Sequence, residues 1–100
     1  MYVVTFELTA KPGCQDPYLD IAAELRPLLE NIDGFISVER FESLSNPGKI
    51  LSLSFWRDEQ AIEQWRELEA HRKAQQKGRE DLFADYRITV AAVERQYELN

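Results

Sequence analysis

The hydrophobic period of this chain switches between two residues and nearly four in a fixed order, and that order constrains the fold more than any other feature. Tyr2, Val4, Phe6 and Leu8 alternate with Val3, Thr5 and Glu7, which predicts a strand over Tyr2 to Thr9. Lys11-Pro12-Gly13 turns the chain. Asp16 followed by Pro17 reads as an N-cap with proline at the first helical position. Tyr18, Ile21, Ala22, Leu25, Leu28, Leu29 and Ile32 then recur at helical spacing until Gly34. Pro27 falls opposite that stripe, so its missing hydrogen bond lies on the solvent side.

Phe35 to Ser43 and Ile50 to Trp56 return to strand character, joined through the turn signal Asn46-Pro47-Gly48-Lys49. Asp58 caps a second predicted helix with Ala61, Ile62, Trp65 and Leu68 as its core stripe, after which Arg72 and Gln75 continue the same side in polar form. Gly78 interrupts, Asp81 to Ala84 reads as a short helical turn, and Tyr86 to Tyr97 as a long final strand. The order is β-α-β-β-α-β, so the expected fold is α+β and ferredoxin-like: an antiparallel four-stranded sheet with both helices on one face. At 100 residues the whole chain, 1–100, makes one domain. In the last strand Ile88, Val90 and Ala92 on one side and Val93 and Tyr97 on the other are apolar. The side away from the helices would then expose hydrophobic surface, and a second copy of the sheet is the simplest cover.

Composition removes several classes of function. Lys and Arg number 12 against 18 Asp and Glu, a net charge of -6, the wrong sign for general binding to a nucleic acid backbone. No apolar run approaches the roughly 20 residues of a membrane span, and Met1 leads directly into strand-like sequence, so the expected location is the cytoplasm. Gly13, Gly34, Gly48 and Gly78 stand too far apart for a dinucleotide fingerprint or a phosphate-binding loop. Cys14 has no second cysteine to pair with, and His71 is the one histidine, so no protein-only transition-metal site is expected.

Imidazole is a side chain suited to acid–base work, and His71 lies on the same helical flank as Gln64, Leu68 and Gln75; a lone histidine is also an ordinary surface residue. Trp65, inside an apolar stripe, serves equally as core or as the wall of a pocket. Arg66, Arg72, Lys73, Lys77 and Arg79 form a locally basic stretch, but the interleaved Glu67, Glu69, Glu80 and Asp81 mark a solvated face.

The chain from Tyr2 to Tyr97 resembles the antibiotic biosynthesis monooxygenase family of dimeric α/β-barrel proteins. The resemblance rests on Gly34-Phe35 leading into the second strand, Leu51-Ser52-Leu53-Ser54-Phe55-Trp56, the Trp65 to His71 helix with Ala74-Gln75, and Leu82-Phe83-Ala84-Asp85-Tyr86-Arg87-Ile88. It implies a homodimer whose sheets face each other, with a small-molecule pocket between sheet and helices in each protomer. Family members include cofactor-free oxygenases of aromatic polyketides, haem-degrading proteins and proteins without an assigned substrate. The haem-degrading branch looks like an asparagine on the first strand, a tryptophan on the second helix and a histidine ligand further along that helix. Here Trp65 matches, but the strand position is Glu7 or a neighbour, the ligand position falls near Gln75, and His71 comes about one turn early.

The resemblance therefore implies a cofactor-independent monooxygenase acting on a small electron-rich aromatic or enol substrate. Trp65, Phe83 and Tyr86 would line the substrate pocket, His71 would transfer the proton and Arg87 would stabilise the developing oxyanion. The alternatives are a non-catalytic dimeric ligand-binding or stress-response protein, and a haem-binding protein with atypical ligation.

Overall fold

A computed structural model describes residues 1–75 and 83–99, the side chains of 70–75 excepted. The elements follow the expected order: β1 (Tyr2–Ala10), α1 (Gln15–Glu30), β2 (Phe35–Glu42), β3 (Lys49–Trp56), α2 (Glu59–Gln75) and β4 (Phe83–Ala92). The strands form one antiparallel sheet in the order β2-β3-β1-β4. Both helices pack on the same face, because Leu29 of α1 and Ala61 and Ile62 of α2 share one core with Val38 and Trp56. Burying each large side chain of that core is worth about 1.5–3 kcal/mol. A second core joins Leu8, Tyr18 and Ile50, with Phe6 and Phe83 against it. No described helix is long and apolar enough to cross a membrane.

The helix-facing parity is set by these cores. It comprises Tyr2, Val4, Phe6 and Leu8 of β1 and their ladder partners Trp56, Ser54, Ser52 and Ile50 of β3. On β4 the same parity holds Ala92, Val90, Ile88 and Tyr86. The opposite, open face carries Val3, Leu51, Leu53, Phe55 and Phe41.

The β2–β3 hairpin closes where the sequence places it. Ser43 N–H donates to the Lys49 carbonyl at 2.9 Å, Lys49 N–H to that of Asn46 at 3.1 Å, and Gly48 takes φ +84°. Asp58 caps α2 as expected, its Oδ1 accepting from Ala61 N–H at 2.9 Å. Along α1, Tyr18, Ala22 and Leu29 are buried while Pro27 is exposed.

Three expectations are corrected. The N-cap of α1 is Cys14 rather than Asp16, and Pro17 is the third helical residue; Tyr18 N–H donates to the Cys14 carbonyl at 3.1 Å. Proline fits there because the first N–H groups of a helix have no intrahelical acceptor. Next, β4 spans Phe83–Ala92 rather than Tyr86 to Tyr97. Phe83 and Ala84, expected in a helical turn, are strand residues, while Gly78, Asp81 and Leu82 lie outside the described residues. The strand ends at Ala92 because its ladder partner β1 begins at Tyr2, and one further bond, Val93 N–H to the Met1 carbonyl at 3.0 Å, completes the pairing. Finally, Ile88, Val90 and Ala92 face the helix layer, and Val93 and Tyr97 lie beyond the strand. The apolar surface of the open face comes instead from β1, β2 and β3.

Candidate functional site

The helix layer covers the sheet unevenly, burying Val38 on the edge strand β2 but not the other edge, β4. On the helix-facing side, Leu8 of β1 and Ile50 of β3 are 0% and 3% exposed, whereas Tyr86, Ile88 and Val90 of the edge strand β4 are 61%, 53% and 42% exposed. The helices cover the middle of the sheet and stop short of β4. A cleft of about 480 Å3 lies there, lined by Glu59, Gln60, Ile62, Glu63 and Arg66 of α2 and by Val90.

Aromatic rings bound the neighbouring surface. Phe6 meets Phe83 and Tyr86 edge-on with centroids 5.7 and 5.8 Å apart, and Phe83 meets Tyr18 at 5.5 Å. Such pairs add about 0.5–1.5 kcal/mol each beyond their burial and hold the rings in fixed orientation. Trp65 is half-buried and packs against the Leu29, Val38, Trp56, Ala61 and Ile62 core together with Tyr2 and Val4. Val4 is the ladder partner of Val90. Trp65 thus belongs to this core, and Phe6 and Phe83 to the packing around Tyr86.

A family comparison matches this chain over residues 1–77 to the antibiotic biosynthesis monooxygenase domain. The chain belongs to the antibiotic biosynthesis monooxygenase family. A protein of Pyricularia oryzae named jasmonate monooxygenase is 52% identical over 93 residues, which cover 93% of this chain and 43% of that protein. The chain therefore spans less than half the length of that relative. The uncharacterised Bacillus subtilis protein YqjZ is 30% identical over 95 residues, covering 95% of this chain and 81% of its own length. Among solved structures, Rv0793 from Mycobacterium tuberculosis superposes with a TM-score of 0.79 at 17% identity, covering 97% of this chain and 98% of that one.

Of the site residues the sequence singles out in this family member, Trp65, Phe83 and Tyr86 share the helix-facing side. Arg87 does not join them. It occupies the open face, where its Nε donates to Glu7 Oε2 at 2.8 Å and Lys49 Nζ approaches Glu7 Oε1 at 3.6 Å. The hydrogen bond from Arg87 holds the Glu7 carboxyl below its usual range, and Glu7 in turn raises Arg87. A strand places successive side chains on opposite faces, so Arg87 stands on the side of the sheet away from Trp65 of its own chain. The side chains of His71, Arg72 and Gln75 lie outside those described; the backbone of His71 is in α2.

Sequence reasoning missed Ser52, Arg40 and Tyr18 as polar groups of the helix-facing side. Ser52 and Ser54 are buried opposite the helices. Ser54 Oγ accepts from Trp56 Nε1 at 2.9 Å and donates to the Val4 carbonyl at 3.4 Å. The signal was available in Ile50 and Trp56, large residues that share the parity of the serines. Among the described residues no group of three or more His, Cys, Asp or Glu side chains stands together to hold a metal ion.

Proposed function

We propose that this chain is a homodimeric, cofactor-independent monooxygenase that takes a small, largely apolar, enolisable or phenolic substrate into the helix-side cleft along β4. The observation that carries this reading is the row Tyr86, Ile88 and Val90, which faces a helix layer that leaves it substantially exposed. Phe6 and Phe83 meet Tyr86 edge-on at one end of that row, which suits a flat hydrophobic ligand. The 52% identity to a protein named jasmonate monooxygenase supports it, since jasmonate joins an enolisable cyclopentanone to an apolar chain and a carboxylate. Val3, Leu51, Leu53 and Phe55 on the open face support the dimer, because a second sheet would remove that apolar surface from water.

In this reading Trp65, Phe83 and Tyr86 wall the substrate and His71 accepts the proton of an acidic C–H bond. The electron pair left on carbon reduces O2, and a C–O bond forms. Protonation gives a hydroperoxide; where that carbon retains a hydrogen, the O–O bond breaks with loss of water and a carbonyl remains. One oxygen atom enters the product, the other leaves as water, and the substrate supplies every electron. Arg87, with Glu7 and Lys49, stands at the proposed sheet-to-sheet interface.

The test is incubation of the purified protein with jasmonate and with a panel of phenols and enolisable ketones under 18O2, read by mass spectrometry. Incorporation of one labelled oxygen, lost in His71→Ala, is the expected result. Tight binding of the same compounds without any labelled product would leave a ligand-binding protein in place of an enzyme.

A further inference from the structure

One row of side chains crosses the whole helix-facing side of the sheet in register: Arg40 of β2, Ser52 of β3, Phe6 of β1 and Ile88 of β4. Its β4 end, Ile88, is 53% exposed and lies two residues along the same face from Val90 of the cleft described above, and its β2 end is polar. Ser52 is only 9% exposed, yet its hydroxyl has no hydrogen-bond partner among the described residues. A buried hydroxyl is ordinarily paired, so an unpaired one facing the helix layer marks a position where an acceptor is missing.

Arg40 stands directly across the ladder from Ser52. It is half-buried, makes no ion pair with a described residue, and donates from Nε to the Tyr18 hydroxyl at 3.4 Å, the long limit of a hydrogen bond. Tyr18 is 6% exposed and accepts that bond, which leaves its own O–H to donate. The nearest helix-facing carboxylate on the same strand, Glu42, is engaged by Gln15 Nε2 at 3.2 Å. Arg40, Ser52 and Tyr18 therefore assemble a guanidinium fork and two hydroxyl donors, with none of the described carboxylates paired to them. A planar anionic oxygen pair suits such a set, because the fork presents parallel N–H groups at carboxylate spacing.

We propose that Arg40, Ser52 and Tyr18 form an anion-binding subsite that holds the carboxylate of an amphipathic acid, whose hydrocarbon body runs over Phe6 to Ile88 and Val90. Ser52 and Ile88 are two strand spacings apart, about 10 Å, the length of a small acid of this type. This rests on the reading of the β4 cleft as the substrate site, and it adds the class of substrate: a carboxylic acid rather than a neutral ketone or phenol.

The experiment compares binding of jasmonate with binding of its methyl ester by calorimetry, in the wild type, Arg40→Gln and Ser52→Ala, with thermal unfolding as the check on folding. The wild type should bind the acid about tenfold or more tightly than the ester, as expected for a hydrogen-bonded charge pair. Arg40→Gln should erase that preference while leaving ester affinity unchanged, and Ser52→Ala should weaken the acid alone by severalfold. Ester binding reports an intact cleft, so a folding defect in Arg40→Gln would show as loss of both ligands; Ser52→Ala then decides, by losing acid affinity selectively or by leaving it unchanged. Equal wild-type affinity for acid and ester overturns the subsite and leaves the cleft. Failure of the wild type to bind either compound overturns the reading of the cleft itself.

Discussion

Gly34 is the position where one added carbon atom should do most damage. It joins α1 to β2 at φ +97°, a conformation that side chains with a Cβ rarely adopt. A Cβ placed there would lie 2.8 Å from the Cβ of Ala61 and 3.3 Å from Arg57 Nη2. The arginine can swing away, since its side chain is 56% exposed. Ala61 cannot: it is 1% exposed, and its N–H is held by the Asp58 cap. Nor can Gly34 drift, because its carbonyl accepts the Arg57 N–H at 2.7 Å.

For Gly34→Ala the backbone term is about 1–3 kcal/mol. Overpacking against α2 adds about 1–3 kcal/mol. Together they amount to about 2–6 kcal/mol, a large part of the roughly 5–15 kcal/mol that holds a domain of this kind folded. Urea unfolding followed by tryptophan fluorescence measures it, with the midpoint falling and the slope unchanged. Ala61→Gly alone should cost about 1 kcal/mol as a helix substitution. In the double variant the clash disappears while the backbone strain stays, so its loss should be smaller than the sum of the two by about 1–3 kcal/mol. A loss under about 1 kcal/mol for Gly34→Ala, or strict additivity in the pair, would refute this account of the junction.

Ser54→Ala removes the acceptor of the buried Trp56 indole N–H, so it should destabilise the fold by about 1–3 kcal/mol in the same assay; no change would mean that the indole finds another partner. The carboxyls of Glu7, Asp33 and Asp58 are all lowered, chiefly by hydrogen bonds from Arg87, Arg57 and the Ala61 N–H respectively. A lowered carboxyl contributes stability that is present above its unfolded pKa and lost as pH falls through the folded one. The melting temperature should therefore decline from pH 4.5 downward for Glu7 and from 3.8 downward for the aspartates. Glu7→Gln and Asp33→Asn should each flatten that decline, and an unaltered profile would count against the pairs. Leu53→Glu places a charge in the middle of the open face, so sedimentation should show a dimer converted to a folded monomer; a variant that sediments like the wild type places the interface elsewhere.

The order of elements was legible because period, caps and the Asn46 to Lys49 turn are local signals. Which face each strand turns to the helices was not. In β3 the alternation sets Leu51, Leu53 and Phe55 against Ser52 and Ser54, and taken alone it sends the leucines toward the core. The observed parity is reversed because Ile50 and Trp56, at the two ends of the serine side, fill the two cores at 3% and 2% exposure. Likewise Tyr86, Ile88 and Val90 are legible as one side of β4, but only pairing with Leu8, Phe6 and Val4 tells which side of the sheet that is. Strand ends obey the same logic, since Val93 to Tyr97 has strand composition but no β1 residue left to pair with.

That parity separates the two arginines of the sheet by their surroundings. Arg87 turns to the open face and is neutralised by Glu7, while Arg40 turns to the helix layer with no described carboxylate as partner. The inner side of β3 is large at both ends and small in the middle, where Ser52 and Ser54 sit between the two cores. A core selected for stability alone would fill such central positions with branched apolar side chains, which bury area and leave no hydroxyl to satisfy. Ser54 has a structural reason, the Trp56 indole. Ser52 has none among the described residues, and it stands between Arg40 and Phe6 in the row that runs out to the exposed part of β4. A slip of one residue in the β1–β4 register would exchange Ile88 for Arg87 on the helix side and destroy that gradient from charge to hydrocarbon. The proposed acid-binding site thus depends on the register of the sheet, and the Phe6 contacts to Phe83 and Tyr86 are among the interactions that fix it.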